Sequence, residues 1–102
     1  GLGSSIAYAC SKGALNTLSL SLARTLSPKI TVNTISPGYI KTSWHGSKKQ
    51  VLKKAKLYEK QVILKRSATA DEVADTVMWY VKSPHLITGE NIFVDGGLHL
   101  NS

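Results

Sequence analysis

GLGSSIAYACSKGA, residues 1–14, places Tyr8 and Lys12 four positions apart at the start of a helical pattern. Side chains at i and i+4 share a helix face, with β-carbons about 5–6 Å apart, so an ammonium can stand beside a phenol. A free tyrosine titrates near pH ~10, and a neighbouring cation favours its ionised form. Tyr8 is therefore a candidate acid/base group, with Lys12 lowering its pKa. Ser4 or Ser5 is placed to cap the helix. Leu15, Leu18, Leu22 and Leu26 continue it as one stripe, and Ala7, Ala14, Leu20 and Ala23 make its other faces small or apolar. A helix apolar nearly all round is expected to be buried on several sides, with Cys10 as a small core residue. Ser27-Pro28 ends it.

ITVNTI, residues 30–35, is short and β-branched and reads as a strand, followed at once by Ser36-Pro37-Gly38. In open α/β sheets ligands bind beyond the carboxyl ends of strands, so Tyr39, Ile40, Lys41 and Thr42 should face one. Thr42 could also cap the next segment. Asn33, within the strand, reads as a structural hydrogen-bonding residue. A basic segment from Ser43 to Lys65 has Val51, Leu52, Ala55, Tyr58 and Val62 at helical spacing, the pattern of an amphipathic helix over the site. Thr69-Ala-Asp-Glu72 matches a capping box. The helix after it runs through Val73, Val77 and Val81 to the stop at Ser83-Pro84. Asn91 to Val94 reads as a buried strand, and Asp95-Gly96-Gly97 as a turn. Two strands separated by helical connections are expected to run parallel.

The chain has 102 residues, a single cysteine and a formal charge of +7. One small domain is the expectation, in a reducing, cytoplasmic compartment without disulfides. No apolar run approaches the ~20 residues of a membrane span. Eight of the thirteen Lys and Arg fall between residues 48 and 66, opposed there only by Glu59. Lysines on the wet side of an amphipathic helix explain them better than nucleic-acid binding does. His45, His85 and His99 lack metal-ligand spacing and are expected at the surface, and no metal site follows.

Two parallel strands and three helices cannot cover both faces and both edges of a sheet. More chain or another molecule is expected to pack here, and the sequence reads as a carboxyl-terminal part.

Four blocks, YACSK, ITVNTISPGYIKT, VILKRSATADEVADTVMWYVKS and ITGENIFVDGG, together resemble the classical short-chain dehydrogenase/reductases over essentially the whole chain. The resemblance implies the last two strands and associated helices of a doubly wound, seven-stranded α/β fold of Rossmann type. It implies Tyr8 as the acid/base of hydride transfer between NAD or NADP and an alcohol or carbonyl substrate, with Lys12 lowering its pKa and binding the nicotinamide ribose. Pro37 and Gly38 correspond to the turn beside the nicotinamide, the Ile40 backbone and Thr42 to contacts with its carboxamide or pyrophosphate, and residues 43–65 to the variable substrate lid. Family members are commonly dimers or tetramers, so a homo-oligomer is expected.

Other family features fall outside this stretch. Gly1 and Gly3 follow no strand and do not make the phosphate loop. Ser4 and Ser5 are too near Tyr8 to be the family serine, expected thirteen residues before the tyrosine, and Asn16 is not its asparagine. The 102 residues alone are thus expected to be inactive and to need the amino-terminal half of the domain as partner. Two readings of other classes compete: a non-catalytic module that joins a partner through its apolar helix and last strand, and a basic nucleic-acid-binding segment around residues 48–66, for which no motif is recognised.

Overall fold

The computed structural model describes residues 5–82 and 86–101. Gly1, Gly3, Ser4, the Ser83-Pro84 stop and His85 lie outside them. The described elements are α1 (Ile6–Leu26), β1 (Thr34–Pro37), a 3-10 turn (Ser43–His45), α2 (Lys48–Gln61), α3 (Ala70–Lys82), β2 (Asn91–Val94) and a 3-10 turn (Leu98–Leu100). They group into two compact units, residues 5–34 with 86–91, and residues 35–82 with 92–101.

In the first unit, Ser5 caps α1 by accepting the Tyr8 amide at 3.1 Å. Leu26 ends the helix as expected, its carbonyl accepting the Lys29 and Ile30 amides. The strand expected at Ile30 begins only at Thr34. Side chains take over the preceding residues: Val32 donates its amide to the Thr88 hydroxyl, and the Asn33 amide donates to Ile87 O at 2.9 Å while its oxygen accepts Glu90 N. Asn33 is thus the structural residue its position suggested, and Ser36 and Pro37 lie inside the strand they were expected to follow. The burial expected for α1 is absent among the described residues. Only Ala23 is buried, Leu15, Leu18 and Leu20 are about half exposed, and Cys10 is exposed rather than in a core.

β1 and β2 are hydrogen-bonded neighbours. Thr34 N donates to Glu90 O and Gly38 N to Val94 O; donors and acceptors advance together, which is the parallel pairing expected. β2 falls on its expected residues but alternates exposed with half-buried positions instead of being buried, and Phe93 is 48% exposed.

In the second unit, α2 starts at a capping box that the sequence reading did not register: Ser47 Oγ accepts Gln50 N, and Gln50 Oε1 accepts Ser47 N. Ala55 and Val62 are buried as their spacing predicts, whereas Leu52, counted in the same stripe, is half exposed. The lysines of the helix are exposed. The predicted Thr69 box is present in both directions, with Thr69 Oγ1 accepting Glu72 N and Glu72 Oε1 accepting Thr69 N, each at 3.2 Å. Ser67, 4% exposed, donates its hydroxyl to Glu59 at 2.7 Å. Among the described residues no helix is long and apolar enough to cross a membrane.

Candidate functional site

The residues picked out by sequence fall in both units. Tyr8 and Lys12 belong to the first; Pro37, Gly38, Ile40 and Thr42 belong to the second.

Tyr8 occupies the first turn of α1, where the Ser5 cap fixes its backbone, and its side chain is 53% exposed. Lys12 Nζ lies over the Tyr8 ring, 5.4 Å from its centre. The i, i+4 geometry thus brings phenol and ammonium together, with the cation against the ring face, where the quadrupole attracts it. Tyr8 O accepts the Ser11 hydroxyl at 2.7 Å, a local bond that stiffens the turn between them.

In the second unit, the chain leaves β1 at Gly38, whose N–H is spent on Val94 O. A β-carbon at Gly38 would collide with the Tyr58 hydroxyl and lie 3.0 Å from Asp95 Cα, so no larger residue fits without displacement. Ile40 forms a parallel bridge with Ala68, which Lys41 N closes by donating to Ala68 O at 3.2 Å. In such a bridge the neighbours of the central residue make the bonds, and its own N–H points to the other side. Thr42 is half-buried and precedes the Ser43–His45 turn, yet its side chain makes no capping bond there. The capping role considered for it is not the one it plays. Pro37 is exposed at the strand end.

Tyr58, Asp95 and His99 are the residues whose part the sequence reading missed. Tyr58 donates its hydroxyl to Asp95 O at 2.6 Å, and its ring centre is 5.8 Å from that of Tyr39, whose hydroxyl donates to Val51 O. Burial pushes the Tyr58 phenol above its ordinary pKa; a hydrogen bond with the Tyr39 backbone opposes that, and the charge of Asp95 adds to it. The Asp95 carboxylate accepts Gly97 N, His99 N and His99 Nδ1, all at 2.9–3.0 Å. Burial raises the Asp95 pKa, but the hydrogen bonds from His99 and Gly97 outweigh it and hold the carboxyl below its usual value. His99, expected simply at the surface, is held by this pair and stacks on Phe93 with ring centres 4.3 Å apart. The four-residue spacing of Asp95 and His99 was the available signal. A 290 Å³ cavity lined in part by Tyr58, Arg66, Asp95 and His99 lies here. Among the described residues no cluster of three or more His, Cys, Asp or Glu could hold a metal.

The family described as enoyl-(acyl carrier protein) reductase matches residues 1–99. The short-chain dehydrogenase/reductase homolog YusR of Bacillus subtilis is 35% identical over 97 residues, covering 95% of this chain and 72% of that protein. The rat 3-oxoacyl-[acyl-carrier-protein] reductase is 38% identical over 97 residues, 94% of this chain and 39% of the relative. The chain thus spans about two fifths of the length of most of the curated relatives it matches. A crystal structure described as a short-chain dehydrogenase/reductase from Burkholderia xenovorans superposes with a TM-score of 0.83 at 39% identity, over 99% of this chain and 37% of its own. A small-chain dehydrogenase solved with NADPH matches at 27% identity and TM-score 0.76, over 87% of this chain and 41% of its own. A 4-hydroxyisoleucine dehydrogenase solved with NADH matches at 27% and 0.78, over 94% and 40%.

Proposed function

The chain belongs to the short-chain dehydrogenase/reductase family, and from that premise we propose that it carries the acid/base half of a site for NAD(P)-dependent hydride transfer on an alcohol or carbonyl substrate. The observation that carries the reading is the Lys12 ammonium lying over the Tyr8 ring at the capped start of α1. Tyr8 Oη gives its proton to the carbonyl oxygen in reduction and takes the alcohol proton in oxidation. The Lys12 charge stabilises the negative charge that develops on Oη as the proton leaves. Bound nicotinamide supplies the hydride.

The second unit fits the nicotinamide end of such a cofactor. The Ile40 N–H is turned away from the Ala68 bridge, and Thr42 is not used as a cap; a donor and a hydroxyl are what a carboxamide or pyrophosphate needs. Pro37 and Gly38 set the turn that presents them, and Lys12 would donate to the ribose. Residues 43–65, with α2, form the substrate lid. The single cysteine supports a reducing, cytoplasmic setting.

Alone, the 102 residues are inactive in this reading, because the described residues contain no glycine-rich loop between a strand and a helix to hold the phosphates. Half-exposed Leu15, Leu18 and Leu20 on α1 support the remaining part of the proposal, that this helix is covered by an amino-terminal half of the domain or by a second copy.

The test joins these 102 residues into the Burkholderia xenovorans protein in place of the portion they match. The chimera is expected to oxidise an alcohol or reduce a carbonyl accepted by that protein, and Tyr8→Phe to lower kcat by about 100-fold or more. A folded chimera that binds cofactor and keeps its full turnover after the Tyr8→Phe substitution overturns the assignment.

A further inference from the structure

The outward face of α2 carries a row of exposed lysines. Lys49, Lys53, Lys56 and Lys60 follow one another at spacings of four, three and four residues. By the ~3.6-residue repeat they fall within about 60° of arc, in a row roughly 16 Å long. All four are exposed, on the side of the helix away from buried Ala55 and Val62. Among the described residues neither salt bridge includes any of them. The only acid in the helix, Glu59, is held by the Ser67 amide and hydroxyl, with its charge also felt by Lys56.

The row works against the helix that carries it. Like charges at i and i+4 repel, and Lys48 and Lys49 add positive charge to a first turn that contains no acid, where the macrodipole disfavours cations. Leu52 and Leu57, 49% and 53% exposed, border the row, one on each side.

We propose that this face docks an acidic protein: a partner helix that presents a row of carboxylates bordered by apolar side chains. Charge complementarity calls for the carboxylates, and the two leucines call for the apolar border. A helix that lies on a membrane turns its broad apolar face to lipid. That face of α2 is already packed inside its own unit around Ala55 and Val62. A nucleic-acid backbone has no use for the leucines.

The test titrates the 102-residue chain with two labelled helical peptides and reads anisotropy. One has Glu at spacings of four, three and four with Leu along both borders; the other has the same composition in scrambled order. The patterned peptide is expected to bind at least about tenfold more tightly, and Lys53→Glu/Lys56→Glu to remove that preference. Lys29→Glu/Lys82→Glu, the same charge change elsewhere, is expected to leave the preference in place. If reversal of the row unfolds α2 by circular dichroism, Lys53→Gln/Lys56→Gln takes its place with the same expected loss. Equal binding of the two peptides, equal loss in the control pair, or tighter binding to duplex DNA or phosphatidylglycerol vesicles overturns the proposal. No cofactor or turnover enters the measurement, so its outcome is separate from that of the hydride-transfer reading.

Discussion

Tyr58 and Asp95 show how much one side chain holds in the second unit. The Tyr58 hydroxyl fills the space against Gly38 and bonds Asp95 O, tying α2 to the segments after β1 and β2. Its phenol pKa is raised, by burial first. A raised pKa contributes stability that is intact below the unfolded value near ~10 and is lost as pH climbs through the folded value. Urea midpoints measured from pH 8 to 11 should therefore fall at the alkaline end, and Tyr58→Phe should flatten that fall while costing about 1 kcal/mol at neutral pH for the lost bond. Asp95 has the opposite sign. Its folded pKa is depressed, despite burial, by the bonds from His99 and Gly97. Its contribution is present above the unfolded value near ~3.9 and disappears as pH falls through the folded one. Asp95→Asn should lower stability at pH 7 and leave a shallower acid limb between about pH 5 and 2. Glu59 and Glu72, also depressed, by hydrogen bonds to Ser67 and to Arg66 respectively, keep part of that limb in the variant.

Elements here are defined at their ends. Thr69 and Glu72 exchange hydrogen bonds at the start of α3, so Thr69→Ala leaves the Glu72 amide without its side-chain acceptor and should cost about 1 kcal/mol. Hydrogen exchange should report the loss first in the amides of the first turn of α3. Gly97 plays the equivalent part after β2. It sits at φ +85, and a β-carbon there would be 3.2 Å from Ile63. Gly97→Ala combines left-handed backbone strain of about 1–2 kcal/mol with that contact, and a thermal melt should show a lower midpoint than wild type. The Ser47 box does for α2 what Thr69 does for α3, and there it holds in helical form a segment whose lysines repel one another.

For the molecule as a whole the dominant feature is apolar surface left open. α1 buries only Ala23, and a helix of that composition gains stability only when something covers it. Sedimentation of the chain should show association that grows with concentration. Leu15→Lys/Leu18→Lys should weaken it without loss of helix content, since both positions are exposed and Lys is a good helix former. Association unchanged by that pair would place the contact elsewhere.

Signals confined to a few residues were legible in the sequence. The bounds of α1, the Thr69–Glu72 box, the extent of β2 and the pairing of Tyr8 with Lys12 depend on backbone preference and on neighbours three or four positions away, and each appears where it was read. Even some local signals passed unread, among them the Ser47–Gln50 box and the Asp95–His99 pair. What only tertiary structure decided involves partners far apart in the chain. The start of β1 depends on Asn33 and Val32 finding Ile87, Thr88 and Glu90, the place of Tyr58 on Asp95, and the exposure of α1 and Cys10 on what lies across from them. Periodicity states which faces are apolar, and only the packed chain states which of them are covered.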